Sequence, residues 1–252
     1  MSKASDNEAF ALAAQRWLGV KEDGWAGVGT LAALLERTGQ APVAANDSGS
    51  VIDPAKFAAW APNAVAGARE ALQQAAARHG ITGRALASFL GQHHHESAGF
   101  SQMTESLNYS VDGLLKTFGR HRISEADARK YGRAPGQSAN QEALANILYG
   151  GTWGANNLGN TQPGDGWRYR ARGFGGTTGR ANYREAGFED NPDALLDAAI
   201  SAEVSAKFFV SRGCVPLALA GKDEAVTRKI NGGVNGLADR IARTRQAKSL
   251  IQ

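Results

Sequence analysis

The sequence predicts a mainly α-helical protein with two domains, residues 1–39 and residues 54–252. Through most of the chain, apolar residues recur at helical spacing between capping residues and terminating glycines. The stretch between the domains, residues 40–53, is rich in small and polar residues, which is typical of a linker. Residues 150–179 differ, because glycine, asparagine, aromatic and arginine residues dominate there. A short β-hairpin or loop region, rather than helix, is expected in that part.

The first domain is predicted to contain short helices around a glycine-rich turn. Apolar residues fall near helical spacing over residues 8–18, and Gly19 ends the run. The segment "VKEDGWAGVGT" supplies the turn, and residues 30–37 carry a second apolar face. A unit of about 40 residues is at the lower limit of what folds alone.

The larger domain is expected to begin and end with helices. Asp53 is a suitable N-cap, and Pro54 suits the first helical turn. Residues 63–80 and residues 191–213 each run from an asparagine through helically spaced apolar residues to a terminating glycine. A basic amphipathic helix within residues 237–252 is predicted to close the chain.

Charge and cysteine content narrow the classes of function. After position 50, 24 Lys and Arg stand against 18 Asp and Glu, a net charge of +6. This excess suits a polyanionic partner such as bacterial cell wall, but it lacks the concentrated basic footprint of nucleic-acid-binding proteins. Nucleic acid is therefore not expected as a partner. Cys214 is the only cysteine, so an intrachain disulfide and a cysteine-based zinc cage are excluded.

The stretch "GQHHHESAGFSQMTESLNYS", residues 91–110, is the first candidate for chemistry. On a helix, His93, His94 and His95 would point about 100° apart, so they cannot all face one ion. The zinc-protease pattern also needs a histidine where Gly99 stands. A metal site is therefore not expected, and a solvated polar helix end is the plain alternative.

Glu96 and Glu105 in this stretch are candidates for an acid and base pair. On a continuous helix they would point to opposite sides, so shared chemistry requires a helix break, for which residues 97–99 are suited. At the end of an apolar helix, burial and the helix dipole would favour a protonated Glu96, while Glu105 in a polar segment could stay ionised. Glycosidic bond cleavage requires two carboxyls of this kind, although spacing alone does not single out this pair.

Four stretches in the same order resemble glycoside hydrolase family 19, the chitinase-like group that includes many bacteriophage endolysins. They are "HHHESAGF" followed by "ESLNYS", then "NTQPGDGWRYRARGF", "TGRANYREAG" and "VTRKINGGVNGLADR". Together they cover roughly residues 62–252, and they imply a lysozyme-like helical fold. The N-terminal "AQRWLGVKEDGWAGVGTLAAL" is similar to a three-helix peptidoglycan-binding module, whose wall-binding positions here are Asp23, Gly24, Trp25 and Thr30.

The resemblance implies roles for individual residues. Glu96 would be the general acid and Glu105 the general base of an inverting hydrolysis, with their carboxyls about 6.5–9.5 Å apart. Thr178 falls where the family places a hydroxyl that helps to position the attacking water. Arg240 is expected to pair with a catalytic glutamate. The implied substrate-binding residues are His95, Tyr109, Tyr169, Asn182, Asn231 and Arg240.

Plain structural explanations exist for several of these positions. Asn231 lies beside glycines and could be a turn former. Arg240 could be one more charge on a solvated helix face, and Tyr169 could belong to the core.

The chain also departs from the family pattern in two places. Gly175, Gly176 and Thr177 stand where the family usually has Ile-Gln-Leu, and Gly176 has no side chain with which to contact sugar. His93 and His94 stand where small or apolar residues are usual, which suggests an exposed helix end. A catalytically weakened, wall-binding derivative therefore stays open.

The resulting prediction is an endolysin that cuts the β-1,4 bond between N-acetylmuramic acid and N-acetylglucosamine in peptidoglycan, without a cofactor. A chitinase is the alternative.

The chain lacks the basic start and apolar run of a signal peptide and any apolar span of about 18–20 residues, so we expect a soluble monomer made in the host cytoplasm. It would reach the wall after another protein permeabilises the membrane. The last helix carries Arg240, Arg243, Arg245 and Lys248, which would either contact anionic outer-membrane lipid or form a solvated charged face.

Overall fold

The computed structural model of the chain describes residues 50–252 and, before them, only Gln15, Arg16 and Gly19. The chain divides into two compact units, Met1–Gly49 and Ser50–Gln252. The helices predicted for the first domain lie outside the described residues and stay predictions. The same holds for its proposed wall-binding residues, Asp23, Gly24, Trp25 and Thr30.

The second unit is mainly helical, as the sequence predicts. A bilayer-spanning helix is not found within the described ranges. A 3₁₀ helix covers Pro192–Leu196. The α-helices are α1 (Pro54–Trp60), α2 (Ala68–Arg78), α3 (Gly83–Glu96), α4 (Val111–Thr117), α5 (Glu125–Tyr131), α6 (Gln141–Leu148), α7 (Gly151–Leu158), α8 (Asp165–Arg168), α9 (Arg180–Ala186), α10 (Ala198–Ser211), α11 (Cys214–Leu219), α12 (Asp223–Asn231) and α13 (Leu237–Lys248).

Several helix ends follow the sequence signals, and others do not. Asp53 caps α1 by accepting a hydrogen bond from Lys56 N at 2.9 Å. The helix expected from residue 63 begins later, at Ala68, because the chain first makes turns. Residues 50–53, at the end of the predicted linker, pair with the C-terminus through a bridge between Ile52 and Ile251.

Residues 150–179 contain more helix than expected. The prediction of strands or loops is wrong over α7 and α8, and the hairpin is reduced to an isolated bridge between Arg172 and Thr177. Gly154 explains part of this difference, since a Cβ there would lie 1.9 Å from Tyr149 O. In this helix a glycine permits close packing instead of ending the element.

The described residues form three hydrophobic clusters, of which the two largest meet near residue 105. The larger surrounds α3 and includes Phe57, Leu86, Phe89, Phe100 and Phe209. The smaller joins α4, α5 and α6 and includes Leu107, Leu114, Leu144 and Leu148. Met103 packs against the larger cluster, whereas Leu107 belongs to the smaller one. The segment between them therefore crosses from one core to the other.

Helix α13 packs closely along α3. The closest approach is at Gly91, where a Cβ would lie 2.5 Å from both Thr244 N and Thr244 Oγ1. Ordinary carbon contacts are longer, near 3.5–4.0 Å, so only glycine fits without a shift of one helix. This approach matters for the site because both helices carry residues of the candidate active site.

We expect Gly91→Ala to lower the free energy of unfolding by about 1–3 kcal/mol, because the added methyl group forces α3 and α13 apart. Urea unfolding followed by circular dichroism measures this change. Gly233→Ala is the matched control, since a Cβ there would meet only Asn231 Oδ1, at 3.9 Å. Equal stability of the two variants would show that the contact at Gly91 is not tight in solution.

Candidate active site

Glu96 is the last residue of α3, and the helix breaks directly after it. Ser97 ends the helix, its Oγ donating to His93 O at 2.6 Å and accepting from Phe100 N at 3.0 Å. Ala98 and Phe100 both have positive φ, 48° and 60°. This conformation is costly for residues with a side chain, and the buried Phe100 ring helps to hold it. The break expected at residues 97–99 is therefore present.

The buried guanidinium of Arg240 holds the Glu96 carboxyl. Arg240 is 1% exposed and donates to Glu96 Oε1 at 2.6 Å, to Gln92 Oε1 at 2.9 Å and to Asn235 O at 2.9 Å. The Glu96 side chain is 22% exposed, and its Oε2 accepts no hydrogen bond from the described part of the chain. The contact implied by the family resemblance is thus present, and Arg240 is not a solvated charge.

Glu105 is positioned by a short backbone pairing with residues 171–173. Gly173 N donates to Met103 O at 2.9 Å, and Glu105 N donates to Ala171 O at 3.1 Å. The carboxyl then accepts two further hydrogen bonds. Ala171 N donates to Oε1 at 2.6 Å, and the Tyr149 hydroxyl donates to Oε2 at 2.6 Å. Each carboxyl oxygen therefore has one fixed donor.

Tyr149 is a site residue that sequence reasoning missed. It lies at the C-terminal end of α6, 44 residues from Glu105, so no local spacing connects the two. Burial, and then the negative charge of Glu105, raise the pKa of the Tyr149 hydroxyl. The hydroxyl consequently stays a proton donor at neutral pH.

We expect Tyr149→Phe to lower kcat roughly tenfold with little change in KM, because one Glu105 oxygen loses the donor that fixes its direction. Steady-state hydrolysis of soluble glycan fragments separates kcat from KM. Tyr131→Phe, at a half-buried tyrosine of α5, is the control. A Tyr149→Phe enzyme with the kcat of the control would remove Tyr149 from the site.

Thr178 and Asn182 each donate a side-chain hydrogen bond to a backbone carbonyl of residues 176–178. The Thr178 hydroxyl donates to Gly176 O at 2.8 Å, and Asn182 Nδ2 donates to Thr178 O at 2.7 Å. Both residues line a cavity of about 220 Å³ that is also bordered by His93, Gly175 and Gly176. Glu96 and Glu105 do not line this cavity.

Comparison with known proteins decides the family. The chain is 38% identical over 187 residues to a glycosyl hydrolase family 19 domain-containing protein of Haemophilus influenzae, with 71% of this chain and 86% of that protein covered. The chain belongs to glycoside hydrolase family 19. A bacterial family 19 chitinase of known crystal structure shares the fold, with a TM-score of 0.51 and 15% identity over 79% of this chain and 94% of that one. No model of a protein family matches the sequence. The protein is a glycoside hydrolase.

The three consecutive histidines of this family 19 enzyme, His93 to His95, contact different groups. Nδ1 of His93 contacts Phe89 O at 2.7 Å, and Nε2 of His94 contacts Trp60 O at 3.3 Å. Nδ1 of His95 contacts Asp239 Oδ2 at 2.6 Å. Arg243 also reaches His94 Nδ1.

The exposed helix end expected at His93 and His94 is wrong. These side chains are 1% and 6% exposed, and they are buried because their ring nitrogens find partners inside the protein. His95 is less buried and ties α3 to Asp239 of α13, so the structure places it between two helices and its role toward sugar stays a prediction.

Buried His93 makes the stability of the enzyme depend on pH. Burial lowers the pKa of His93 to about 4 from the ordinary 6.5, and the hydrogen bond to Phe89 O opposes this only in part. Between these two values the unfolded chain binds a proton that the folded chain does not bind. The stabilisation is therefore complete above pH 6.5 and is lost as the pH falls toward 4.

We expect the free energy of unfolding to fall by about 2–3 kcal/mol more in the native chain than in His93→Phe between pH 6.5 and pH 4. Chemical denaturation at several pH values measures the difference. Parallel curves for the two proteins would show that His93 does not titrate in this way.

The remaining predicted residues differ in their surroundings. Tyr169 is 1% exposed and its hydroxyl donates to Glu189 O at 3.1 Å, so the prediction that it lines a sugar subsite is wrong and it belongs to the core. Tyr109 is half-buried, and burial followed by the charge of Glu105 raises its pKa, which places it close to that carboxyl. Asn231 is exposed at the end of α12, and its role stays a prediction.

Proposed function

We propose that the protein is an endolysin that hydrolyses the β-1,4 bond between N-acetylmuramic acid and N-acetylglucosamine in peptidoglycan. The observation that carries this proposal is the pair of separately held carboxyls in a family 19 chain. Glu96 is held by Arg240, while Glu105 is held by Tyr149 and Ala171. The net charge of +6 after position 50 supports an anionic substrate, and peptidoglycan is anionic through its peptide carboxylates whereas chitin is neutral.

The proposed reaction is a single displacement with inversion. Glu96 protonates the leaving glycosidic oxygen through Oε2, while Glu105 takes a proton from the attacking water. The Thr178 hydroxyl donates its proton to Gly176 O at 2.8 Å, so its oxygen would accept a proton of the attacking water, as the family resemblance implies. The two protons of the water then point at Glu105 and Thr178, which directs its lone pair at the anomeric carbon. Two carboxyls and water suffice for this chemistry.

The N-terminal unit is proposed to hold the enzyme on the wall through Asp23, Gly24, Trp25 and Thr30. This follows from its resemblance to a peptidoglycan-binding module. The enzyme would be made in the cytoplasm of an infected cell, act as a monomer, and reach peptidoglycan once the membrane is permeabilised.

Only part of the last helix offers basic side chains for contact with anionic lipid. Arg240 is buried and Arg243 pairs with Asp239, so only Arg245 and Lys248 of the four basic residues are exposed without an ion pair in the described part of the chain.

The test compares purified peptidoglycan with chitin oligomers as substrates for the full chain. An endolysin releases reducing ends from peptidoglycan, and proton NMR shows the α-anomer as the first product. A chitinase is the second candidate, because the enzyme whose fold is shared is a chitinase. Faster cleavage of chitin oligomers than of peptidoglycan would favour it. Binding to peptidoglycan without cleavage of either substrate would indicate the wall-binding derivative.

A further inference from the structure

The cavity lined by Thr178 extends well beyond the groups that the proposed two-carboxyl chemistry uses. Its volume of about 220 Å³ is far larger than one water molecule needs. One side is formed by the glycine-rich loop at Gly175 and Gly176, and the other by α10 with Ser205 and Lys207. The apolar part of its wall includes Leu158, Val204, Phe208 and Ile230.

The two departures from the family pattern meet in this cavity. A Cβ on Gly175 would lie 3.6 Å from Cδ2 and Nε2 of His93 and 3.1 Å from Ser205 Oγ. The isoleucine that the family usually has at this position would therefore place its Cβ in van der Waals contact with the His93 ring and tightly against Ser205 Oγ. Gly176 adds to the opening, because its φ of +61° disfavours any side chain. Histidine at 93 and glycine at 175 and 176 therefore border the same space.

His93 presents a hydrogen-bond acceptor to this space. Its Nδ1 carries the proton, because the partner at Nδ1 is a backbone carbonyl that can only accept. Nε2 therefore carries a lone pair that can accept a hydrogen bond, and no group in the described part of the chain donates to it. The ring is 1% exposed, and its Nε2 edge faces Gly175 on the cavity wall. An acceptor that faces a cavity and has no donor in the described part of the chain favours a ligand that supplies an N–H or O–H.

Lys207 gives the cavity a positive charge. It makes no ion pair within the described residues. The other ionised side chain on the wall, Glu185, is already paired with Arg212 at 3.2 Å. The cavity therefore combines one acceptor, one available cation and an apolar wall. A bare acetamido group is neutral and leaves the cation unused.

From these features we infer that the cavity binds the peptide stem carried by the lactyl group of a muramyl residue. An amide N–H of the stem donates to His93 Nε2, and a stem carboxylate pairs with Lys207. This inference rests on the proposed function, and it makes stem-bearing peptidoglycan the preferred substrate over bare glycan. The departure at residues 175 and 176 then changes selectivity and does not simply weaken the site.

The test uses the full chain with Lys207→Gln and His93→Phe, and with Lys248→Gln as the matched lysine control. Each protein is assayed on soluble stem-bearing peptidoglycan fragments, on the same glycan after an amidase has removed the stems, and on chitin oligomers. We expect Lys207→Gln to raise KM about tenfold on the stem-bearing fragments alone and to remove the salt dependence of that KM. His93→Phe should raise the same KM several-fold without altering its salt dependence, and Lys248→Gln should change neither.

Other outcomes overturn the inference in distinguishable ways. An equal KM change on all three substrates would assign the cavity to a group common to chitin and peptidoglycan, such as the acetamido group. An equal change on stem-bearing and stripped glycan would assign the Lys207 contact to the lactyl carboxylate. Unchanged KM values for both variants would leave the cavity without a role in binding. If the native chain cleaves only chitin oligomers, the proposed function itself is wrong. The native chain alone decides this, without any variant.

Discussion

Replacing Glu96 by glutamine is expected to lower kcat by a factor on the order of 10²–10⁴ with little change in KM. The amide cannot deliver a proton to the leaving oxygen, while its carbonyl can still accept the hydrogen bond from Arg240. The site therefore keeps its shape and loses only the acid. Release of reducing ends from soluble peptidoglycan fragments measures kcat and KM separately.

Two comparisons make this result decisive. Glu142→Gln, at an exposed glutamate in the first turn of α6, should retain full activity. Thermal unfolding of Glu96→Gln should show a folded protein, so that loss of activity is not loss of structure. Activity of Glu96→Gln within about threefold of the native chain would contradict the proton-donor role.

The helix break after Glu96 illustrates what sequence could predict. Two glutamates nine residues apart cannot share a site on a straight helix, and small residues at 97–99 mark the place where it ends. The positive φ angles at Ala98 and Phe100 were not readable from sequence, because neither residue favours that conformation. They depend on the burial of Phe100 in a core assembled from distant helices.

The partners of the carboxyls were harder to predict than the carboxyls themselves. Arg240 is 144 residues from Glu96, and only the family resemblance connected them. Tyr149 and Ala171 are 44 and 66 residues from Glu105, and nothing in their local pattern marks them. Contacts across such separations are set by how the helices pack, which periodicity does not report.

For His93 and His94 the sequence predicts exposure, whereas the structure shows burial. A run of three histidines reads as polar, so an exposed helix end was expected. Their nitrogens instead meet backbone carbonyls of Phe89 and Trp60, and satisfied histidines can be buried like apolar residues. The partner of His93 lies one turn away on the same helix, but the partner of His94 is 34 residues away.

Replacing Arg240 by methionine is expected to destabilise the fold by about 3–5 kcal/mol. Methionine fills similar space but donates no hydrogen bond. Glu96 Oε1, Gln92 Oε1 and Asn235 O then lose their donor in a region where Arg240 itself was 1% exposed. Because the Glu96 side chain is 22% exposed and can be rehydrated, the lower end of that range is expected. Urea unfolding measures the change, and Arg245→Met, at an exposed position of the same helix, should be nearly neutral.

A double-mutant cycle separates the ion pair from the other lost contacts. If the uncompensated carboxylate causes most of the destabilisation, Arg240→Met should cost less in the Glu96→Gln background, by about 1 kcal/mol or more. Unchanged cost in that background would assign the loss to Gln92 and Asn235 instead. Arg240 would then stabilise the contact of α3 with α13, but its ion pair with Glu96 would add nothing to the free energy of unfolding. The cycle thus decides whether the stabilisation of the fold by Arg240 depends on the negative charge of Glu96.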